Sequence, residues 1–301
     1  MCRPGEVLVR VHAATVSSAD WRARSLRMPP GFGLLARPVF GFTGPRNKVL
    51  GVDFAGVVEE AGAEVTRFKP GDAVFGLTGL AAGGHAEFLT IKAEGAIARK
   101  PDRLSFEQAT CLCFGGSTAL YFLRDRGAMK SGQSLLVNGA SGAVGTAAVA
   151  IGKAMGLEVT AVCSAGNAER VTTLGANRAI DYARTDFAST GDDYDAIMDI
   201  VGNAPFARCK AALKPNGQLL AVLGGLGSLL SAPWYSLTTG HKVHAGPAPE
   251  RASDMEDLAA LAASQQFTPV IDSVYPLEDI VAAHARVDTG HKVGSVVVTI
   301  S

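Results

Sequence analysis

Apolar and polar residues alternate from the start of the chain. In Glu6 to His12 (EVLVRVH), Val7, Val9 and Val11 fall on one face, the period-two pattern of a strand. Val49 to Ala61 (VLGVDFAGVVEEA) reads as strand material carrying a lone acid, Asp53. The turn Lys69-Pro70-Gly71-Asp72 leads into another strand from Ala73 to Phe75. Short strands parted by such turns predict a small β-rich unit up to about Pro101. Ser105, with Gln108 three residues on, predicts a capped helix start. From Ser134 onward strands alternate with helices: Leu135–Asn138, Leu157–Cys163, Arg178–Asp181, Asp195–Ile200 and Gln218–Leu223. That rhythm predicts a parallel sheet with helices on both faces. Ser253 and Glu256 predict a second capping box before a helix Met255–Ala263, and Gly294–Ile300 (GSVVVTI) a final strand. Val16 to Arg24 is polar with one tryptophan, and Arg27 to Lys48 is a long Gly, Pro and Phe-rich segment expected to cover a site.

The stretch Ser134–Gly156 (SLLVNGASGAVGTAAVAIGKAMG) carries the clearest chemistry. An apolar run meets a loop that spaces Gly139, Gly142 and Gly145 three apart, and small apolar residues follow at helical spacing. Strand, glycine turn and helix in that order predict dinucleotide binding. The glycines let the backbone approach a pyrophosphate, and the first helix amides offer unpaired donors to it. A glycine turn that only joins a core strand to a core helix is the plainer alternative; the strand at Leu157–Cys163, placed where a strand-helix-strand unit requires one, favours the cofactor.

Composition narrows the classes. At 301 residues the chain has room for one large or two ordinary domains. Lys plus Arg equals Asp plus Glu at 28 each, so no overall field draws nucleic acid or an anionic membrane. The five cysteines, Cys2, Cys111, Cys113, Cys163 and Cys209, have no paired spacing, which fits a reducing cytoplasm. Two stretches lack formal charge, Ser134–Gly152 and Pro215–Gly240, but Gly, Asn and Ser interrupt both. Buried α/β elements are therefore expected there, not membrane spans.

The end of the second nucleotide strand sets the cofactor. An NAD-selective site places a carboxylate there, about 20 residues past the fingerprint. Here Cys163-Ser164 stands at that point, followed by Asn167 and Arg170. Ser164 and Asn167 can donate to a 2′-phosphate that a carboxylate would repel, so NADPH (NADP) is the expected cofactor. The alternative use of Ser164 and Asn167 is to cap the next helix.

Several stretches together resemble the medium-chain dehydrogenase/reductase superfamily, in its zinc-free quinone oxidoreductase-like (zeta-crystallin-like) branch. They are PGEVLVRVHAA at Pro4, GVDFAGVVEEAG at Gly51, FKPGDAVFG at Phe68, FGGSTALYFL at Phe114, NGASGAVG at Asn138, LGANRAIDY at Leu174, YDAIMDIVG at Tyr194 and GHKVGSVVV at Gly290. The resemblance implies an α/β fold: a Rossmann doubly wound parallel sheet over 111–266, plus a GroES-like β-rich catalytic domain formed by both chain ends, 1–110 and 267–301. It also implies a homodimer or higher homo-oligomer. Members usually carry a strand and hairpin before the PGEVLVRV segment; their lack would leave an edge strand unpaired. At the positions where zinc alcohol dehydrogenases hold their catalytic metal, this chain has Ala19 or its neighbours, Val52 and Phe114, none of which binds zinc. Cys111 and Cys113 lack structural-zinc spacing and are expected to be buried free thiols, and His85 a local hydrogen-bonding or pocket-rim residue.

By the same resemblance, Gly139, Ser141, Gly142, Ala143, Val144 and Gly145 form the phosphate loop, and Tyr182 packs near the adenosine phosphate. Thr118, Val201, Gly224 and Gly225 line the nicotinamide ribose side, and Lys292 reaches the cofactor. Ser17, Asp20, Trp21 and Asp53 line the substrate pocket, with Tyr121 the candidate proton donor. Without a metal, the fitting chemistry is hydride transfer from nicotinamide C4 to a quinone or an α,β-unsaturated carbonyl, the protein positioning a small electrophile and stabilising its oxyanion. Two enzyme alternatives remain open, a metal-free alcohol dehydrogenase and an enoyl-thioester reductase; the latter would use the arginines at 22, 24, 27, 37 and 46. A third is a catalytically weak NADPH-binding or sensing protein.

Overall fold

The structure is a computed structural model describing residues 2–28, 30–33, 37–38, 41 and 44–301. The segment Arg27–Lys48, expected to cover a site, lies in part outside the described residues. The chain forms two compact units, one of Met1–Arg27, Arg37–Ser117 and Glu250–Ser301, the other of Met28–Ala36 and Thr118–Pro249.

In the first unit β1 spans Glu6–Val16, followed by β2 (Asp53–Ala61), β3 (Ala73–Leu77), β4 (Phe88–Lys92) and β5 (Ile97–Arg99). In the second, β6 (Ser134–Asn138), β7 (Glu158–Cys163), β8 (Arg178–Asp181), β9 (Tyr194–Asp199), β10 (Leu213–Ala221) and β11 (Lys242–Ala245) make a parallel sheet. The chain returns to the first unit for β12 (Ile271–Pro276) and β13 (Ser295–Thr299).

The first unit is organised on β1. Val7, Val9 and Val11 are at most 1% exposed and sit in one core with Phe54, Val74, Ile97 and Val298. The strand order is β12-β13-β1-β2-β3-β5, with β4 also on β1. β4 pairs with Glu6–Arg10, β13 with Ala13–Val16, and β2 with Val7–Ala13. β1 thus has partners on both sides, and among the described residues β4 pairs with β1 alone, so the strand left at this edge is β4.

In the second unit the order is β11-β10-β9-β6-β7-β8. Leu135, Leu136 and Val137 are wholly buried although successive residues face opposite ways, so both faces of the sheet are covered. The helix Ala143–Ala154 buries every residue from Val144 to Gly152. The chain winds from β6 out to β8, then returns to lay β9 on the other side of β6, which makes the carboxyl ends of β6 and β9 the topological switch point.

The units divide at 117/118 and 249/250, not at the expected 110/111 and 266/267. The helix Ala252–Ala263 belongs with β5: Arg103 donates to the Ala262 carbonyl at 2.6 Å, and Arg67 binds Glu256 at 2.7 Å. That helix starts at Ala252 with no side-chain cap, so Ser253 lies inside it and Glu256 is spent on Arg67. The capping box at Ser105 and Gln108 is present as expected. A helix the sequence pattern did not reveal, Ser18–Ser25, begins on a box formed by Ser17 and Asp20.

The uncharged stretch Pro215–Gly240 departs from its expected burial. Its helix Leu226–Thr239 buries only Ala232, while Leu230, Trp234 and Leu237 are 71%, 67% and 84% exposed. Among the described residues no helix is long and apolar enough to cross a membrane.

Phe54, fully buried at the start of β2, fills the core against which β1 lies. Its replacement by Ala is expected to cost the protein about 3–5 kcal/mol, measured by urea unfolding; a loss below about 1 kcal/mol would contradict that packing.

Candidate active site

The glycine loop follows β6 directly. Gly139 adopts φ +89°, a left-handed conformation that suits glycine, and the amides of Gly139 and Ala140 both donate to the Val162 carbonyl. Gly142 then caps the helix Ala143–Ala154 with no side-chain acceptor on the first amides. A β-carbon at Gly145 would lie 2.1 Å from the Gly139 oxygen, whereas one at Gly142 would meet only that oxygen, at 4.0 Å. The loop is therefore closed on its inner side and open on its outer side. An open helix start with uncapped donors fits the pyrophosphate of a dinucleotide. Ser141 and Ala143 are half-buried here and Val144 is buried.

Five of the other expected cofactor residues follow strands of the same sheet at this edge. Ser164 follows β7, Tyr182 follows β8, Val201 lies two residues past β9, and Gly224 and Gly225 follow β10. Ser164 and Asn167 do not cap the next helix with their side chains; Asn167 Nδ2 donates to Ser164 Oγ at 3.0 Å. Tyr182 is 60% exposed, its amide bonded to the Cys163 carbonyl. Arg170 is exposed on the helix Ala168–Thr173. Sequence reading missed Asp181, which lies opposite Cys163 in the sheet. Its carboxylate accepts from the Ala183 amide at 3.1 Å and faces Arg184 at 3.8 Å. A pairing between β7 and β8 is the signal that finds it, and sequence alone carries no such register. Gly225 caps the helix Leu226–Thr239, again with no side chain on its first amides.

Thr118 is buried near the end of the helix Cys113–Leu120. Tyr121 opens a π-helical turn, Tyr121–Arg126, a form that recurs at functional sites. The Arg126 guanidinium lies 5.8 Å from the Tyr121 ring centre and donates to the Ala245 carbonyl. Lys292 belongs to the first unit and donates to the Gly294 carbonyl at 2.7 Å. Burial lowers its pKa to about 8.

The residues expected to line the substrate pocket form a buried polar knot in the first unit. Asp53 is 1% exposed; one of its oxygens accepts from the Thr15 amide at 2.9 Å and hydroxyl at 2.8 Å. Burial, followed by the charge of Asp20, pushes the Asp53 carboxyl up to about 7, against the bonds from Thr15 and Thr110. Asp20 accepts from the Ser17 amide and hydroxyl at 2.8 and 2.7 Å, and from the Gly51 amide at 2.8 Å. Ser17, Asp20 and Asp53 thus anchor the end of β1, the helix Ser18–Ser25 and the start of β2, and their polar atoms are turned inward. Trp21 is half-buried against the first unit's core, with Arg22 5.5 Å from its ring.

His85 bonds the Thr15 carbonyl at 2.9 Å and meets His284 edge-on with ring centres 6.0 Å apart. Burial lowers the His284 pKa, aided by His85 and Arg24 and opposed by Asp20 and Asp288. Cys111 and Cys113 are buried free thiols. Among the described residues no group of three or more His, Cys, Asp or Glu could hold a metal.

Comparison with known proteins places this architecture. Residues 3–102 match the family described as alcohol dehydrogenase GroES-like domain, and residues 174–298 the one described as zinc-binding dehydrogenase. A chloroplast envelope quinone oxidoreductase homolog of Arabidopsis thaliana is 30% identical, covering 98% of this chain and 90% of that protein. The chain belongs to the medium-chain dehydrogenase/reductase superfamily, in its quinone oxidoreductase-like branch. Another relative in this branch, the quinone oxidoreductase of Sus scrofa, is 29% identical over 94% of this chain and 85% of its own length. The solved quinone oxidoreductase of Coxiella burnetii superposes with a TM-score of 0.86 at 26% identity, covering 99% of this chain and 92% of its own. As a member of this branch the chain is an oxidoreductase, and the superfamily implies a nicotinamide cofactor.

The Asp53 carboxyl, ordinarily near 3.8, titrates near 7 in the fold, so folding is favoured below pH 3.8 relative to above 7 and loses that share as pH rises between them. Asp53→Asn keeps an acceptor for Thr15 and carries no charge. Between pH 4 and pH 8 the variant should gain on the order of 1–3 kcal/mol relative to the natural chain in urea unfolding. A difference that does not change with pH would show that Asp53 is not held neutral by its surroundings.

Proposed function

We propose that this chain is an NADPH-dependent, zinc-independent oxidoreductase that reduces quinones or α,β-unsaturated carbonyls. The observation that carries the reading is the glycine loop at the switch point, closed toward β6 and open toward solvent, with Ser164 and Asn167 next to it and no carboxylate directly after β7. A bound nicotinamide would supply the hydride.

The chain's own residues hold and orient. The amides of Ala143, Val144 and Gly145 would face the pyrophosphate. Ser164, Asn167, Arg170 and Tyr182 would receive the adenosine phosphate, where Asp181 has its charge partly met by Arg184. Thr118, Val201, Gly224 and Gly225 would bound the ribose next to the nicotinamide. Tyr121 is the side chain proposed to give a proton to the developing oxyanion. Zinc independence rests on the donor set: Ala19, Val52 and Phe114 carry no side-chain atom that ligates zinc. The relatives named as quinone oxidoreductases support the acceptor class, and five free cysteines suit a reducing cytoplasm.

We also propose that a second copy of the chain docks on the helix Leu226–Thr239 and the adjoining β11. Leu230, Trp234 and Leu237 recur at spacings of four and three, which puts three exposed apolar side chains on one helix face. Among the described residues β11 is the last strand in its sheet and pairs only with β10, which leaves its outer edge free to extend the sheet.

Mixing the protein with NADPH and a panel of quinones and enones should oxidise the cofactor, followed by absorbance, and Ser164→Asp should turn the preference toward NADH by about tenfold or more. Inertness toward every acceptor with both cofactors would remove the enzymatic reading. For assembly, Leu237→Glu is expected to give monomers by light scattering where the natural chain is dimeric; an unaltered mass would place the contact elsewhere.

A further inference from the structure

We infer that Asp199 is the positioning residue of the dinucleotide edge: it fixes the loop Ile200–Ala204 against the glycine loop. The inference rests on the cofactor reading above and adds a residue that touches no ligand.

Asp199 ends β9 and pairs with Asn138, the last residue of β6. These are the two strands that flank the switch point. Asp199 is 3% exposed, yet no cation meets its carboxylate in a salt bridge among the described residues; it is satisfied by N–H groups. One oxygen accepts from Asn138 Nδ2 at 2.8 Å, from the Val201 amide at 3.2 Å and from the Gly202 amide at 3.1 Å. The other accepts from the Ala204 amide at 3.0 Å. Asn138 Nδ2 also donates to Asn203 Oδ1 at 2.8 Å, and the Asn138 carbonyl accepts from the Ile200 amide at 3.1 Å. Five consecutive residues, Ile200 to Ala204, are therefore tied to this one pair of side chains or to the Asn138 carbonyl.

The loop so fixed lies on the glycine turn. A β-carbon at Gly139 would come within 2.7 Å of Val201 Cγ2, so the valine side chain occupies the space beside the turn. Val201 is nevertheless 47% exposed, presenting its outer side. A buried carboxylate is costly unless its oxygens are bonded, and backbone amides facing a carboxylate bind it more strongly than they bind a neutral acceptor. The charge at Asp199 thus orders the loop, and through Val201 the loop sets the width of the cradle at Gly139. An amide at this position replaces one oxygen with an NH2 group, which faces either the Ala204 amide or the Asn138 NH2 as donor against donor.

The test uses Asp199→Asn, Asn138→Ala and the swap Asn138→Asp with Asp199→Asn, each folded sample titrated with NADPH by nicotinamide fluorescence. Asp199→Asn should weaken NADPH about tenfold while the KM of the acceptor stays within about twofold. Amide hydrogen exchange should accelerate at residues 200–204 and not in the helix Ala143–Ala154. The swapped pair should recover part of the affinity, because the exchanged carboxylate and amide can again bond across the two strand ends, a recovery that a general loss of stability would not give. Should Asp199→Asn fail to fold, Asn138→Ala decides, with about a threefold loss of NADPH affinity expected. Folded variants that bind NADPH like the natural chain, or a swap no better than Asp199→Asn, would overturn the inference alone. A natural chain that binds no nicotinamide dinucleotide would overturn the functional reading and this inference with it.

Discussion

The helix Ala143–Ala154 starts so close beneath the Gly139 carbonyl that a methyl group at Gly145 would stand 2.1 Å from that oxygen. Much of the second unit follows from this close approach. The helix can bury its whole length from Val144 to Gly152 against β6 and β7 only because no side chain holds it away there. On the open side of the turn its first amides carry no side-chain cap among the described residues, and uncapped amides at the positive end of a helix dipole select an anion.

Both units hold their strand ends with carboxylates, buried at Asp53, Asp20 and Asp199 and half-buried at Asp195. In the first, Asp53 takes the Thr15 amide and hydroxyl, and Asp20 takes the Gly51 amide and its own helix cap. In the second, Asp199 gathers the loop after β9, and Asp195 bonds the Ser134 amide and hydroxyl as well as Lys214. The surroundings give these acids different character. Asp195 faces a lysine and the Ser134 donors that together outweigh its burial, and its pKa falls; Asp53 faces the charge of Asp20 in a dry interior, and its pKa rises. A carboxyl that titrates near neutral pH is useful to catalysis, but the geometry of Asp53, closed around Thr15, makes it first a support for the end of β1.

The apolar helix Leu226–Thr239 shows how little an uncharged sequence says about burial. Its residues would suit a core, yet only Ala232 is enclosed. The helix lies against β11 at the sheet's margin. That exposed face is the one proposed above to receive a second copy of the chain.

By itself the sequence determined the elements whose patterns are local. The valine alternation of β1, the glycine spacing after β6, the capping box at Ser105 and the alternation of strands and helices after Ser134 each follow from short-range periodicity or backbone sterics. It also determined which side chains lack zinc ligands and that no carboxylate directly follows β7. Tertiary structure alone decided what depends on residues distant in the chain. The Ser17 and Asp20 cap stayed hidden in a polar stretch with little apolar periodicity, and Ser253 and Glu256 matched a box that Arg67 dismantles by taking the glutamate. Asp181 opposite Cys163 and Asp199 opposite Asn138 are products of strand register, set by packing across the sheet. Hydrogen bonds between residues 61 positions apart, such as that of Asn138 with Asp199, leave no periodic trace in the chain, and so the organisation of the candidate site became visible only when the sheet was assembled.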